Sequence, residues 1–565
     1  MRATLKRFLP LTFVYAVAFV SPLALAQDPS TVAKSAGVWQ AAGDGGAISA
    51  GGAAAVAAGK TVLEGGGNAA DAAVATILAM TVTDSSMFCF GGEVPLLVYD
   101  ARRGAVDVVC GQGVAPRLAT REHFSSAAGI PGSGVEAAAV PAALDACLVV
   151  LDRYGTLTFA EAAEGTLALL AEHKVPWHAD LERTLGRLIA AEKMAAGDRQ
   201  RGLRLVADFF YRGPIAREIA AWSEANGGLI RYVDLATHVT RIEEPTAVEY
   251  RGHTVYKCGA WTQGPYVLET LRVLEGFDLR KAGHNSPQAI HLTLEAMKLG
   301  LADRDTYYAD PLFADVPLSQ LLSTEYATAR RALIDPQRAS LEHRPGDPRG
   351  GRALLGTSKT ASGVGGPARD TTTCVVADRD GTFIAATPSG WSGVLVGNTG
   401  IWLGSRLQSF NTTPGHPNCI EPGKRPRITL TPTLVTRTGK PVLGISVAGG
   451  DGQDQTALQM LLNQVEFDLP PAKSVLAPRF GTQHHIGSFR QTPPKLGSLM
   501  ISSAASSETV AALKKLGHEV EMLGHRPWSP SVLVIDPATG AMQVAGDPDA
   551  GRHAAAIDKS QIKAK

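Results

Sequence analysis

The sequence predicts an α+β protein with sheets held between layers of helix. Three observations carry this reading. Residues 141–335 place apolar side chains at helical spacing, the C-terminal third is rich in short alternating strands, and 45% of the 565 residues are hydrophobic, enough for a sizeable core in one large or two intimate domains.

The chain opens with Arg2, Lys6 and Arg7 ahead of an apolar run over 8–26 that closes on Ala24-Leu25-Ala26. A basic start, an apolar stretch and a small-residue cleavage site read as a secretory signal peptide, residues 1–26, removed before Gln27. Pro10 and Pro22 interrupt the run and argue against the alternative, an uncleaved membrane anchor. The expected location is periplasmic or secreted, with no stable membrane span after removal. Loss of the leader removes three positive charges and no negative ones, so the formal net charge goes from +1 to −2. That balance gives no support for a nucleic acid partner. Cys89, Cys110, Cys147, Cys258, Cys374 and Cys419 lack the short spacings of zinc or redox pairs. They read as buried thiols, and no disulfide is assigned.

Residues 53–64 are alanine-rich and helical, Gly65-Gly66-Gly67 ends that helix, and Asn68 caps a second one with Asp71 in its first turn. These glycines follow a helix and no Walker lysine is present, so a phosphate cradle is not expected. Strands are expected at 94–99 and at 246–256. Residues 337–370 are rich in Gly, Ser, Pro and charge and read as a flexible linker. Beyond them, 371–377 and 383–387 form a hairpin around Asp380-Gly381, with further strands at 428–435, 442–447 and 531–535.

The chemistry concentrates where the linker meets that hairpin, in Asp370-Thr371-Thr372-Thr373-Cys374. A cut before Thr371 leaves an N-terminal residue that carries a hydroxyl nucleophile and, in its own free amine, a base titrating near neutrality. A β-branched threonine also restricts the rotamers of the nucleophile. The bland reading of the same residues is a half-buried strand start.

The segments LEGGGNAADAAVAT, GGEVPLLVYD, VPAALDACLVVLDRYG, YRGPIAREIA, DTTTCVVADRDG, PGKRPRITLTPTLV and AGGDGQDQTALQMLL, spread along nearly all of the chain, resemble the gamma-glutamyltranspeptidase family. The resemblance implies a four-layer αββα sandwich of the N-terminal-nucleophile hydrolase type. It also implies a precursor that cuts itself between Asp370 and Thr371 into a large subunit (27–370) and a small one (371–565) that stay together as partners. Thr371 falls at the nucleophile position. Gly449 and Gly450 match the oxyanion-hole glycines, where a missing Cβ lets two N–H groups approach the developing charge. Ser389 falls where the family often has a second hydroxyl near the nucleophile, although a Pro-Ser-Gly context equally fits a turn. Thr373 stands where the family usually has histidine.

The substrate-holding positions depart from the family. The arginine that clamps the glutamyl α-carboxylate aligns with Gln112, the acid for the substrate ammonium with Ser409, and its amide neighbour with Arg406. The serine pair becomes Ile428-Thr429. Loss of charged clamps weakens a zwitterionic γ-glutamyl group by roughly 1.5–3 kcal/mol per charged hydrogen bond. Arg406 is then a candidate carboxylate contact from another wall, and Asp451 a pocket carboxylate. The short segment 410–424 leaves little room for a lid, which favours water as acceptor. His484-His485 lacks a third ligand at supporting spacing, and neither metal nor cofactor is expected. Two functions remain: an exported, self-processing amidohydrolase that cleaves a small amide, γ-glutamyl or related, by hydrolysis in preference to transfer, or a non-catalytic binding relative of the same fold.

Overall fold

The computed structural model describes residues 38–125, 129–350, 371–489 and 491–563. The expected signal peptide, Asp370 and linker residues 351–369 lie outside them. Two seven-stranded sheets dominate. The first runs Gln40–Gly43, Met542–Gly546, Ser529–Ile535, Lys440–Ala448, Thr433–Arg437, His253–Lys257, Thr246–Tyr250. The second runs Arg552–Ile557, Gly46–Gly51, Cys374–Asp378, Phe383–Ala386, Leu96–Asp100, Ala105–Cys110, Arg241–Glu243. Neighbouring strands within both are antiparallel, as in the pairing of Cys374 with Ala386. A small third sheet joins Phe480–Gly481, Ser498–Ser502 and Glu519–Leu523.

The period-two geometry of a strand sorts the side chains into separate cores. Val375, Ala377, Phe383 and Ala385 meet Leu434, Leu533 and Val544 of the first sheet in one apolar cluster. Their alternates Cys374, Val376, Ile384 and Ala386 face a second cluster with residues of helices Ala53–Glu64, Ala69–Thr83 and Ala143–Tyr154. Val435, Ile445 and Val532 face a third with helices Pro265–Leu274, Pro287–Tyr307 and Gly452–Val465. Both faces of each sheet are therefore dry, which explains why the strands read as apolar runs.

Several local expectations match. The first helix spans Ala53–Glu64, and Asn68 caps Ala69–Thr83 through a capping box with Asp71, a feature that contributes about 1 kcal/mol. The expected strand at 246–256 is instead a hairpin that turns at Arg251 (φ 51°) and Gly252 (φ 75°). Two left-handed residues make the tight turn the strand twist prefers, and an arginine is not a usual signal for one. The strand expected from 428 begins at Thr433, with Ile428 making a single bridge to Thr262. All six cysteines are buried, and none forms a disulfide among the described residues.

Residues 337–350, the described start of the expected linker, are anchored. Ala339 N donates to Leu516 O (2.7 Å), Gly346 N to Asp303 Oδ1 (2.7 Å) and Tyr307 Oη to Gly346 O (2.6 Å). Composition misled here because the binding is by backbone groups, which no side-chain pattern reports. His484 Nε2 lies 2.9 Å from Glu342 O, and its Nδ1 accepts from Gly497 N. His291, Glu295 and His518 place possible ligand atoms within 4.8 Å of one another. The atoms that face one another are engaged, by a 2.9 Å His291–His518 hydrogen bond and by Lys298 Nζ on Glu295 (2.6 Å), while His518 Nδ1 is buried without a partner.

Burial, followed by the charge of Lys298, draws His484 and His518 each down to about 3. Folded-state pKa values below the unfolded value of about 6.5 give stability that is complete above pH 6.5 and lost as pH falls toward 3. Each histidine contributes about 1.4 kcal/mol per pH unit at most over that window. The thermal midpoint of the protein is expected to fall between pH 6.5 and 5, and His518→Asn to flatten that fall, as read by scanning calorimetry across pH.

Candidate active site

Thr371 and Ser389 pair across the start of the Cys374–Asp378/Phe383–Ala386 hairpin as an isolated antiparallel bridge. This register brings Thr371 Oγ1 to 3.1 Å from Ser389 Oγ. Both residues are nearly buried, at 5% and 0% exposed. From the far edge of the sheet, Arg552 donates to Thr372 Oγ1 (2.9 Å) and to the carbonyl of Thr371 (3.3 Å), with Asp84 Oδ1 3.7 Å from its guanidinium. Thr373 Oγ1 lies 2.9 Å from Ser531 Oγ, on the other sheet.

Behind Ser389 sits a buried ion pair that the sequence reading did not foresee. Arg406, on the short 3-10 turn Arg406–Ser409, donates from Nη2 to Ser389 Oγ (2.8 Å) and from Nε to Glu93 Oε1 (2.5 Å). Glu93 in turn exchanges backbone hydrogen bonds with Ser389, both 2.9 Å. Arg406, expected on a substrate wall, thus lies behind the nucleophile candidate. A cation on Ser389 Oγ polarises that hydroxyl and makes it a stronger donor toward Thr371. The only sequence signal for Glu93 was an acid inside an otherwise apolar run.

Opposite Thr371 the strand Lys440–Ala448 ends in Gly449 (φ 137°) and Gly450 (φ 59°), ahead of helix Gly452–Val465. Both glycines lie in the left-handed region, and a Cβ on Gly449 would stand 2.2 Å from Trp528 Cδ1. Trp528 itself has φ 59°, an outlier for so bulky a side chain, and Gly452 and Gly481 are also cleared beneath its indole. Among the described residues the Gly449 N–H has no acceptor. With the Gln453 amide oriented so that its nitrogen donates to Val447 O (3.0 Å), its oxygen accepts from Gly450 N (3.1 Å). Gln453 therefore caps one of the two glycine N–H groups, and the same side-chain atom lies 3.4 Å from Thr371 Oγ1.

Thr371, Gly449, Gly450 and Asp451 line a cleft of about 960 Å³ together with Met87, Phe489, Trp528 and Arg552. Asp451 accepts from Arg304 Nη1 (2.7 Å), Ser488 N (2.9 Å) and Ser488 Oγ. Burial alone would raise its carboxyl, but Arg304, His485, Arg427 and Ser488 hold it at about 2. Asp454 does not face the cleft: it pairs with Lys257 Nζ at 2.6 Å, both side chains fully buried. Gln112, Ser409 and Thr429 are buried outside the cleft lining, and each keeps one unpartnered side-chain oxygen. The paired histidines diverge as expected, His484 toward Glu342 and His485 Nδ1 toward Arg304 Nη2 (3.1 Å).

Two antiparallel sheets share a core, and a threonine hydroxyl at the start of an interior strand shares a cleft with a glycine turn; the family and its relatives make this an amide hydrolase or acyltransferase. The chain belongs to the gamma-glutamyltranspeptidase family, whose model matches residues 55–200 and 199–557. It is 29% identical to the glutathione hydrolase-like YwrD proenzyme of Bacillus subtilis (strain 168), over 83% of this chain and 89% of that protein. It is 30% identical to the acylase ACY 1 proenzyme of Pseudomonas sp. (strain SE83), over 82% of this chain and 85% of that protein. Among solved structures, cephalosporin acylase from Bacillus halodurans superposes with a TM-score of 0.78 at 26% identity, covering 94% of this chain and 99% of that one.

Proposed function

We propose that the protein is an exported amidohydrolase that cuts itself before Thr371 and then uses Thr371 as its nucleophile. The observation that carries this is the placement of Thr371 Oγ1 at 3.1 Å from Ser389 in a cleft that also presents Gly449 and Gly450. The freed α-amine takes the hydroxyl proton as Oγ1 attacks the amide carbon, and the carbonyl oxygen moves onto the Gly449 and Gly450 N–H groups, displacing Gln453 from the latter. The amine leaves with a proton, giving a threonyl ester. Water then adds to the ester, releasing the acid and restoring the hydroxyl. The three apolar clusters support the four-layer αββα arrangement, with helices outside both sheets.

A cleft of about 960 Å³ lined by Trp528, Phe489 and Met87 supports amides with a bulkier amine portion than a dipeptide requires. Segment 410–424 folds on itself, with Asn411 bridged to Cys419 and Lys424 bound to Glu421 (2.8 Å), and so is not extended over the cleft. Open access supports hydrolysis over transfer. On a denaturing gel the mature protein is expected to give two bands, with N-terminal sequencing of the smaller starting at Thr371. With an added dipeptide acceptor, the products are expected to remain mostly the free acid. One uncut band with no amide cleavage would sink this reading in favour of the binding relative.

A further inference from the structure

Trp528 stands on the cleft wall with a backbone that its side chain disfavours. Among the described residues eight non-glycine residues have positive φ, and of these only Trp528, at 59°, lines the cleft with Thr371. A bulky side chain on a left-handed backbone is strained, and such strain persists only where the surroundings over-determine it. Here they do. Pro527 and Pro530 bracket Trp528 and Ser529 and restrict the chain on both sides. Arg526 Nη2 pairs with Asp549 Oδ2 (2.6 Å), and Asp547 N donates to Pro530 O (2.9 Å). Ser529 is in register with Ala448, which brings Trp528 beside Gly449.

The indole fills the space in which three side chains would otherwise stand. A Cβ on Gly449 would lie 2.2 Å from Trp528 Cδ1, one on Gly452 1.8 Å from Cε2, and one on Gly481 2.2 Å from Cη2. These glycines belong to three segments: the turn after strand Lys440–Ala448, the first residue of helix Gly452–Val465, and strand Phe480–Gly481 of the small sheet. The same segments are tied to one another around the ring. Gly452 N donates to Gly449 O (3.2 Å), Gln455 Nε2 to Thr482 O (3.0 Å) and Thr482 N to Gln455 Oε1 (2.7 Å). Arg479, next to Phe480, pairs with Asp547. Glycine adopts many backbone conformations, so the direction of the Gly449 N–H is set by what packs on that residue rather than by the residue itself. What packs there is a rigid ring.

We propose that Trp528 is a positioning residue, whose indole braces the Gly449–Gly450 turn so that the Gly449 N–H keeps the direction a tetrahedral oxyanion requires. The brace rests on the reading of Thr371 as nucleophile and of the two glycines as oxyanion donors. Preorganised donors stabilise a transition state because they need not reorient as charge develops, and a donor free to swing loses part of that gain. The backbone strain at Trp528 holds the ring on the turn. A tryptophan that served only as an apolar wall for the amine portion would act on KM, and one that served only the core would act on stability and leave kcat alone.

Trp528→Ala, Trp528→Phe, Gly449→Ala and the double variant Trp528→Ala with Gly449→Ala test it, through kcat and KM for γ-glutamyl and acetyl p-nitroanilide. On whichever anilide the wild type cleaves, Trp528→Ala is expected to lower kcat by about 10- to 100-fold with KM within about threefold, and Trp528→Phe to lower kcat less. With the ring gone, a methyl group at 449 no longer meets it, so Gly449→Ala should cost no more than about tenfold in the Trp528→Ala background, against about 10²–10³ in the wild type. Undiminished kcat, a loss confined to KM, or two costs that simply multiply overturns the brace and leaves the self-cutting hydrolase standing. If neither anilide is cleaved, the same cycle is read on the rate of self-cutting, with the same expected and overturning results. If Trp528→Ala does not fold, Trp528→Phe decides: a rate lower by about threefold or more at unchanged KM supports the brace, and an equal rate overturns it. A wild type that neither cuts itself nor cleaves an amide overturns the reading of Thr371, and the brace with it.

Discussion

Thr371→Ala protein runs as one intact chain on a denaturing gel and releases no amine from amides that the wild type cleaves, its kcat/KM lower by about 10⁴ or more. The size of the effect follows from the geometry. In the proposed mechanism Thr371 supplies both the attacking oxygen and, once unmasked, the proton acceptor; Ser389 at 3.1 Å already donates to or accepts from that oxygen with Arg406 behind it. Ser389 does not replace it as nucleophile, because its hydroxyl has no free amine beside it. The substitution removes one buried hydrogen bond, about 1 kcal/mol, so the thermal midpoint is expected to move by only a few degrees. Strand Cys374–Asp378 still pairs on both sides. A cut Thr371→Ala chain would show that another residue drives scission.

Gly449→Ala is expected to lower kcat by about 10²–10³ with a smaller change in KM, and to slow self-cutting in parallel. A methyl group there meets Trp528 at 2.2 Å, and φ 137° is a conformation alanine avoids. The turn must therefore shift, and with it the N–H that the proposed mechanism assigns to the developing oxyanion. Steady-state kinetics on one anilide, together with the rate of band splitting after expression, measure both effects. Undiminished kcat would show that the turn carries no transition-state charge.

Much of the fold was legible where local chemistry decides it. The capping box at Asn68, the glycine stop before it and the hairpin at Asp380-Gly381 are short-range patterns, and the structure holds each of them. The hairpin at Arg251 and the anchored start of the linker were not legible, because an unusual left-handed residue and backbone contacts to distant helices leave no trace in composition. The candidate site divides in the same way. Thr371 was picked out by the hydroxyl run after the linker and Ser389, Gly449 and Gly450 by the family resemblance; the structure sets Thr371 beside Ser389 and places Thr371 and both glycines on one cleft wall. Glu93, Arg304 and Trp528 come from three separate segments, and only tertiary packing joins them to the site, whereas Gln453 follows the glycines in the same run. Arg406 was picked out for its charge as a carboxylate contact, and the structure pairs it with Glu93 and Ser389. A sequence shows a cation and not the carboxylate 313 residues away that captures it.

The two sheets interleave strands from either side of the proposed scission point. Cys374–Asp378 lies between Gly46–Gly51 and Phe383–Ala386, and Lys440–Ala448 and Thr433–Arg437 separate Ser529–Ile535 from His253–Lys257. Neither half can close a hydrophobic core alone, so the topology must be reached while the chain is still continuous. Severing it afterwards converts a reversible fold into one preserved by its unfolding barrier, and the working enzyme would owe its lifetime to kinetics rather than to equilibrium.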